Sequence, residues 1–438
     1  MTFSDLNINK PLQRALADCG FETPTLIQER VYPAALSGRD ILGIAQTGTG
    51  KTLGYLLPCL NQWKFSKDKQ PQIVILVPTR ELVVQVVEVV EKLTAHINFV
   101  CCGVFGGVGM QPQAAMIAAG TDMIVGTPGR LLDLALNGYL ALRNVRRLVI
   151  DEVDEMLDQG FRTQLGRVFD ILPKRRQNLM FSATLTDEIE SLMDVYFDNP
   201  LKIEAAPTGT PLENIDQKFY EVPNFNTKIN LLRQLLHTDA TMEKVLVFVG
   251  SMALADKVFE QIAPDFAETA DYVHSQRTQH QRFEAVRNFH EGNLRILIAT
   301  DLVARGIDVS NVSHVINFDL PGEPEQYMHR IGRTGRADRH GVAYTFCSPY
   351  EADKRGEIER LMNRQVENLP LPDGLEISEV LSDFEQPVFK MKNVLIKTAA
   401  VPGKAFHERS EKNRKENVRT KFSATRLKKF SRPERKKK

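Results

Sequence analysis

Apolar residues along this chain alternate between two spacings. Short runs rich in Val, Ile and Leu, typical of buried β-strands, are each followed by a longer stretch with helical spacing, such as 82–93. This order predicts an α/β fold with parallel sheets, because parallel strands need a crossover helix between them. In the first half, the predicted strands cover residues 41–44, 73–77, 123–125, 148–150 and 179–181.

The same alternation begins again in the second half of the chain. Predicted strands there cover 245–249, 295–298, 314–318 and 342–346, with helices between them such as 253–262. Between the two series, the sequence A-A-P-T-G-T-P at 205–211 breaks all periodicity, as expected for an extended connector. The fold class is therefore predicted to be α/β, with two parallel-sheet lobes joined by a short linker.

The predicted boundaries follow from these breaks. A short segment, 1–30, precedes a first lobe at 31–206, a linker at 207–214 and a second lobe at 215–370. Residues 371–438 form a C-terminal extension that lacks regular periodicity. From about residue 403 large apolar side chains are scarce among many Lys and Arg, so this tail is predicted to be disordered when free.

Charge is distributed unevenly along the chain. The 438 residues, 42% of them hydrophobic, carry a net charge of +1. Residues 404–438 contain 15 Lys and Arg against 4 Glu, a net of +11, which leaves −10 for residues 1–403. A basic tail on an acidic body predicts a polyanionic partner that the tail helps to bind, although a solubility or protein-docking role is an alternative.

Other sequence features narrow the class of protein. No apolar run approaches the roughly 18 residues that a membrane span needs, so we expect a cytoplasmic protein. The five cysteines include no C-x-x-C pair, which predicts reduced thiols rather than a disulfide framework or a zinc site.

A phosphate-binding loop is predicted directly after the first strand. Residues 45–52 read A-Q-T-G-T-G-K-T, a variant of the G-x-x-x-x-G-K-[ST] pattern with Ala45 in place of the first glycine. Its glycines let backbone N–H groups surround phosphates at a helix N-terminus. Lys51 supplies a cation, and Thr52 supplies a hydroxyl for Mg²⁺.

Two further motifs complete a predicted hydrolytic site. Asp151-Glu152-Val153-Asp154 follows a predicted strand, where Asp151 can hold Mg²⁺ through water and Glu152 can polarise the attacking water. In the second half, 329–336 reads H-R-I-G-R-T-G-R, whose arginines and glycines suit arginine fingers that reach a γ-phosphate across a cleft. An ordinary acidic turn and a basic surface helix are the alternatives.

These three motifs, in this order, resemble the DEAD-box family of RNA helicases over about residues 1–365. Further matches include Phe3 with G-F-E-T-P-T-L-I-Q at 20–28, similar to the family's Q motif, and S-A-T at 182–184. The resemblance implies two RecA-like lobes that close on ATP, Mg²⁺ and one RNA strand, and it implies ATP-driven unwinding or remodelling of RNA.

The resemblance also implies roles for individual residues. The catalytic set would be Lys51, Asp151, Glu152, Arg333 and Arg336. ATP would be bound by Phe21, Gln28, Ala45, Gln46, Thr47, Gly48, Thr49, Gly50, Lys51, Thr52 and Asp308, and Mg²⁺ by Thr52 and Asp151. RNA would be bound by Pro78, Thr79, Arg80, Gly106, Gly107, Thr127, Arg130, Gly250, Ser251, Arg282 and Thr300.

The chain departs from the family pattern at two places. Val153 replaces the usual Ala of the namesake motif, and His274-Ser275-Gln276 differs from the common H-G-D. Two alternative functions stay open: a DNA translocase of the same superfamily, and an ATP-gated RNA clamp that nucleates a ribonucleoprotein. We expect a monomer acting on structured RNA with low sequence specificity, in ribosomal-precursor or RNA-decay assemblies.

Overall fold

Two parallel β-sheets, one in each half of the chain, confirm the predicted α/β fold. The structure is a computed structural model that describes residues 1–45, 48–205, 214–301, 312–335, 340–382 and 385. Within these ranges each sheet has seven strands, and all the pairs between neighbouring strands are parallel.

The first lobe contains strands β1 to β7 and helices α1 to α9. The strands are Ile41–Ile44, Ile73–Leu76, Cys101–Val104, Met123–Gly126, Arg147–Ile150, Gln177–Ser182 and Leu201–Glu204. The helices are Lys10–Asp18, Leu26–Leu36, Lys51–Asn61, Arg80–Leu93, Met110–Ala118, Pro128–Leu136, Val153–Asp158, Arg162–Ile171 and Asp187–Tyr196.

The second lobe contains strands β8 to β14 and helices α10 to α14. The strands are Ile215–Glu221, Val245–Val249, Ala270–Val273, Ile296–Thr300, His314–Asn317, Gly341–Cys347 and Glu367–Leu369. The helices are Phe225–Thr238, Met252–Phe266, Gln279–Glu291, Pro324–Ile331 and Ala352–Met362.

Strand order places the chemistry-bearing loops together. The first sheet runs β3-β4-β2-β5-β6-β1-β7, and the second runs β10-β11-β9-β12-β13-β8-β14. All residues of β1, β2, β4 and β6 are buried, since helices cover both faces of a parallel sheet. Because the strands are parallel, the loops that follow β1, β2, β5 and β6 meet at one edge, called here the carboxyl edge.

The predicted central strands are confirmed, but the outer strands were missed. Every predicted strand overlaps an observed one, with bounds that agree within two residues. The sequence patterns did not reveal β3, β7, β8, β10 or β14. Four of these lie at the sheet edges and are partly exposed, so they lack the continuous apolar run that identifies a buried strand.

The five cysteines are free thiols, as predicted, and three of them are buried. Within the described ranges, no helix is long and apolar enough to cross a lipid bilayer. Nearly all of the predicted linker, and the basic tail, lie outside the described residues.

Residues 371–382 have no helix or strand, as predicted, yet they form an ordered strap along α10. Amide side chains on α10 donate to successive backbone carbonyls of the strap: Gln234 to Asp373 at 3.1 Å, and Asn230 to Glu376 at 2.9 Å. Asn226 donates to Val380 at 2.8 Å. These donors recur every four residues, the helical repeat, so one face of α10 binds the strap along its length.

The strap leads from the end of β14 towards the carboxyl edge of the second lobe. Leu371 and Leu375 pack against the core beside β14, and Glu385 accepts a hydrogen bond of 2.7 Å from the backbone N–H of Phe225. The Phe225 ring packs on Phe318, which follows β12. The described part of the C-terminal extension therefore reaches the carboxyl edge of the second lobe.

We predict that replacing Asn226, Asn230 and Gln234 together by Ala will loosen the strap while leaving the lobe folded. Each lost hydrogen bond contributes about 1 kcal/mol. Amide hydrogen exchange should therefore accelerate in residues 373–382 and stay unchanged in β9. Asn288→Ala on α12, whose side chain forms no hydrogen bond with the described strap, is the matched control. Unchanged exchange in the strap would mean that its apolar contacts alone hold it.

Candidate functional site

The loop after β1 has the geometry of a phosphate cradle. Gly48 and Gly50 have φ of +82° and +86°, the left-handed region that favours glycine, and α3 begins at Lys51. A side chain at Gly50 would also collide with Gln28, because a Cβ there would overlap its Nε2. Glycine at position 50 is therefore required both by the turn and by the close approach of α2.

Two residues of α2 and its cap hold this loop in place. The Gln28 amide donates to the Gly50 carbonyl at 2.9 Å and accepts from the Thr25 backbone N–H at 3.0 Å. The Thr25 hydroxyl donates to the Thr49 carbonyl at 2.8 Å. Gln28 is buried, whereas Phe21 is half exposed beside the loop. The Q-motif residues thus form one hydrogen-bonded unit with the phosphate loop.

The acidic turn after β5 buries two carboxylates side by side. Asp151 and Glu152 are each less than a tenth exposed, and Glu152 has a left-handed backbone with φ of +53°. Such strain costs a non-glycine residue about 1 kcal/mol or more and is concentrated at functional sites. Burial raises the pKa of Asp151, against the charge of Lys51. Burial and the Asp151 charge together raise the pKa of Glu152.

Both lobes line one cavity of about 300 Å³ at these residues. From the first lobe its walls include Phe21, Gln28, Gly48, Gly50, Lys51, Thr52, Asp151 and Glu152; from the second lobe they include Arg333. The Lys51 ammonium is buried and has no hydrogen-bond partner among the described residues. Arg333 is close enough that its charge lowers the pKa of Glu152, opposing the effect of burial.

Asp154 connects the acidic turn to the loop after β6. One of its carboxylate oxygens accepts from the backbone N–H groups of Ala183 and Thr184, at 3.0 and 3.1 Å. Although burial alone would raise it, the pKa of Asp154 is lowered by the charges of His329 and Lys51 and by these hydrogen bonds. His329 belongs to α13, so Asp154 also faces the second lobe.

Val153 points away from the acids. Its side chain is fully buried in the apolar cluster between the sheet and helices α5 to α9. The hydrogen bonds of the neighbouring Asp154 have ordinary lengths. The two extra methyl groups therefore fill core space and leave the carboxylates in place.

The predicted RNA contacts of the first lobe lie on neighbouring loops of the carboxyl edge. The Arg80 guanidinium occupies the space that a side chain at Gly107 would need. Arg130 donates to the Gln113 side chain at 3.0 Å and to the Val108 carbonyl at 2.7 Å. The remaining predicted residues of this lobe are Pro78 after β2, Thr79 and Thr127 at the N-caps of α4 and α6, and Gly106 after β3.

In the second lobe, Arg330 organises the carboxyl edge from inside. It is 1% exposed, and its guanidinium donates to both carboxylate oxygens of Asp301, at 2.5 and 2.6 Å, and to the Asp319 carbonyl at 2.6 Å. The Asp319 carboxylate accepts from the Gly250 N–H at 3.0 Å. Of the arginines in the H-R-I-G-R motif, Arg330 is therefore bound within its own lobe, whereas Arg333 reaches the shared cavity.

The other predicted RNA contacts of this lobe end strands or begin helices. Ser251 caps α11 by accepting from the Leu254 N–H, and Thr300 is the buried last residue of β11. Four predicted site residues, Gln46, Thr47, Asp308 and Arg336, lie outside the described residues.

An ion pair between the lobes escaped the sequence analysis. The Arg282 guanidinium on α12 lies 2.8 Å from the carboxylate of Glu81 on α4, and both side chains are nearly buried. Glu81 directly follows Arg80, a predicted RNA contact, but the sequence does not show that its partner is Arg282. Arg282 was predicted to bind RNA; its described partner is Glu81.

A phosphate loop, a buried acidic pair and an arginine from a second lobe at one cavity are typical of two-lobed nucleoside-triphosphate hydrolases. The DEAD/DEAH box helicase family model matches residues 25–192, and the helicase conserved C-terminal domain model matches residues 227–338. The chain therefore belongs to the DEAD-box family of ATP-dependent RNA helicases, which are ATP hydrolases.

Named relatives and solved structures agree with this assignment. The chain is 38% identical over 371 residues to the DEAD-box ATP-dependent RNA helicase CshA of Bacillus cereus, covering 85% of this chain and 70% of CshA. RhpA of Helicobacter pylori is 36% identical over 372 residues, 85% of this chain and 74% of RhpA. The solved structure of S. cerevisiae Dbp5 bound to RNA and ADP BeF3 superposes with a TM-score of 0.76 at 29% identity, over 85% of this chain and 96% of the chain in that structure. The lobes are thus RecA-like, as expected.

We predict that Arg282→Glu will weaken closure of the two lobes, because it sets two carboxylates against each other in a nearly buried position. The loss should be about 2 kcal/mol or more, roughly thirtyfold in the closure equilibrium. Fluorescence transfer between dyes on the two lobes, with RNA and a non-hydrolysable ATP analogue, measures it.

Exchanging the charges, in the double variant Glu81→Arg with Arg282→Glu, should restore closure. Reversing the exposed pair Arg162 and Glu188, which lies within the first lobe, is the control and should have no effect. A double variant as defective as the single one would indicate that Arg282 acts on RNA directly.

Proposed function

We propose that ATP closes the two lobes around one RNA strand, and that hydrolysis reopens them. The main support is the cavity in which Lys51 and Glu152 of one lobe meet Arg333 of the other. A ligand that touches all three gains its full binding energy only when the lobes are together, so nucleotide binding and closure are linked. A strand gripped by both lobes would be bent and could not stay paired with a second strand.

On the ATP side, the roles follow from charge and position. Lys51, buried without a described acceptor, would pair with the phosphates, and Arg333, together with Arg336, would stabilise charge that develops on the γ-phosphate. Glu152 would act as general base towards the attacking water. Its Oε2 atom is buried without a hydrogen-bond partner in the described part of the chain, and so is able to accept one.

The donor set also fits Mg²⁺. The Thr52 side chain and the Asp151 carboxylate line the same cavity as the phosphate loop, and such hard oxygen ligands suit this ion. When bound, Mg²⁺ would neutralise phosphate charge and polarise the terminal phosphate towards attack. The chain's own contribution is to hold Asp151 rigidly, through the Glu152 backbone N–H that donates to it at 3.0 Å.

Phe21 and Gln28 would form the adenine contacts. Half-exposed Phe21 is available to stack on a base. Gln28 already forms hydrogen bonds with Thr25 and Gly50, which hold the loop. Its second amide N–H and the remaining lone pair of its oxygen would contact adenine. In this arrangement, binding of adenine to Gln28 would directly affect the phosphate loop, because the same side chain is hydrogen-bonded to Gly50.

RNA would lie across the carboxyl edges of both lobes. The RNA contacts predicted from the sequence lie on the loops and helix starts of these edges, where N–H groups and arginines can meet phosphates. Such contacts read little base sequence, and contacts to the 2′-hydroxyl would select RNA over DNA. Asp154, bonded to the Ser182-Ala183-Thr184 loop and facing His329, would transmit the state of the ATP site to this edge.

Several further assignments are part of this proposal. The functional units are the segment 1–30, lobes at 31–206 and 215–370, the linker at 207–214 and the extension 371–438. The D-E-V-D variant would keep ATPase activity, because Val153 lies in the core. We further propose a bacterial-like helicase that acts as a cytoplasmic monomer in ribosomal-precursor or RNA-decay assemblies.

We predict that Lys51→Ala and Glu152→Gln will separate ATP binding from hydrolysis. Removing the buried ammonium should weaken ATP binding at least tenfold. The amide introduced by Glu152→Gln cannot act as a base, so hydrolysis should slow by about 10² to 10⁴ with binding kept. Fluorescent-nucleotide titration and RNA-stimulated phosphate release measure the two effects.

Asp133→Asn, an exposed acid on α6, is the matched control and should behave like the unaltered chain. Near-normal turnover of Glu152→Gln would remove it as the base. Equal stimulation of the unaltered chain by DNA and RNA of the same length would contradict the choice of RNA.

We predict that deleting residues 404–438 will spare basal ATP hydrolysis and reduce RNA affinity. The deletion removes a net charge of +11. Each lost phosphate contact should reduce the magnitude of the slope of log affinity against log salt by about 0.7. Anisotropy titrations at several salt concentrations measure this. A neutral Gly/Ser tail of equal length is the control. Unchanged affinity would assign the tail to another partner.

A further inference from the structure

A cluster of cations lies on three loops at the amino edge of the first sheet, opposite the carboxyl edge. The loops at 64–69, 143–146 and 174–175 precede β2, β5 and β6, which are neighbours in the sheet. Together they carry one acid, Asp68, and seven exposed cations: Lys64, Lys67, Lys69, Arg143, Arg146, Lys174 and Arg175. We call these seven residues, with Phe65, the basic surface.

This concentration of positive charge contrasts with the net negative charge of residues 1–403. Residues 1–403 carry a net of −10, yet these loops bring seven positive charges together. None of the seven forms a salt bridge with an acidic side chain within the described ranges. Like charges left unpaired repel each other in the free protein, and an anionic ligand would relieve that repulsion.

The three loops enclose a cavity of about 540 Å³. Four cations, Lys64, Arg143, Arg146 and Arg175, line it together with Phe65 and one acid, Asp68. The Phe65 ring is 62% exposed and rests edge-on against Trp63, with ring centroids 6.4 Å apart. An exposed aromatic ring among cations is the arrangement on which single-stranded bases stack while phosphates meet the charges.

The loops are held in shape by neutral groups. The buried Gln72 amide donates to the Lys64 carbonyl at 2.7 Å, and the Thr121 N–H donates to the Lys69 carbonyl at 3.0 Å. The Gln70 side-chain oxygen accepts from Arg143 Nε at 3.0 Å. Because a neutral amide rather than a carboxylate positions Arg143, its charge stays available for a ligand.

We infer that the basic surface binds a single-stranded segment of the RNA substrate outside the cleft between the lobes. Strands β2 and β5, four residues each, separate it from the carboxyl edge by about 10 Å before loops are counted. It is thus a second surface, independent of closure. The inference rests on the proposed function only in taking RNA as the polymer. It gives the first lobe a grip on flanking RNA while the cleft opens and closes.

The test compares two triple variants of the full chain. Arg143→Gln, Arg146→Gln and Arg175→Gln together remove three charges from the basic surface. Binding of a fluorescein-labelled oligouridine, long enough to reach both edges, is titrated from about 50 to 200 mM salt. The slope of log affinity against log salt is negative, and its magnitude should decrease by about 2. The factor by which affinity drops between the two salt concentrations should therefore be about 20-fold smaller than for the unaltered chain.

The control variant carries Lys10→Gln, Lys354→Gln and Arg360→Gln, which removes the same charge from α1 and α14. It should keep the slope of the unaltered chain. Phe65→Ala should lower affinity without changing the slope, and Phe65→Tyr should restore it. Thermal unfolding of each variant checks that the lobe is intact.

Equal slopes for the two triple variants, with Phe65→Ala unaffected, would overturn the inference and leave an acidic protein as the partner of this surface. Failure of the proposed function has a different signature, because RNA would then not stimulate ATP hydrolysis by the unaltered chain.

Discussion

Three charged side chains buried at one sheet edge impose the main constraint on this molecule. Lys51, Asp151 and Glu152 have lost most of their hydration, and burial raises the pKa of both carboxyls. The attraction of Lys51 for the two carboxylates offsets only part of the desolvation cost, and the carboxylates repel each other. The Lys51 ammonium has no hydrogen-bond partner in the described part of the chain. A polyanion that enters the cavity would therefore supply the hydrogen-bond acceptors and the negative charge that the ammonium lacks. The phosphate loop is thus preorganised for a ligand rather than for its own stability.

The second lobe approaches this edge at three positions. Arg333 influences Glu152, His329 influences Asp154, and Arg282 pairs with Glu81. The first pair lines the cavity shared by the lobes, the second joins the acidic turn to the 182–184 loop, and the third lies beside a predicted RNA contact. Because these contacts form together when the lobes meet, a change at one of them alters the free energy of closure that the others share. In the proposed mechanism, this shared free energy of closure couples ATP binding to RNA binding.

Sequence predicts best what is continuous along the chain. The central strands were recognised because each is a run of buried apolar residues, and the phosphate loop because its glycines and Lys51 are adjacent. Edge strands such as β7, with one fully buried residue in four, gave no such signal. The strap along α10 was correctly predicted to lack helix and strand, but its binding depends on amide side chains spaced four apart, a pattern that solvated helices also show. The Arg282–Glu81 pair joins residues 201 positions apart, a distance that only the fold closes.

No sequence motif marks the basic surface at the amino edge. The C-terminal tail is contiguous, so a net charge by segment reveals it at once. The seven cations of the basic surface are instead distributed between residues 64 and 175, among enough acids that no window stands out. A parallel sheet collects the loops after its strands at one edge and the loops before its strands at the other. The geometry that assembles a hydrolytic site from distant motifs therefore assembles a second surface as well. Charge in the loops before central strands becomes interpretable once the strand order is known.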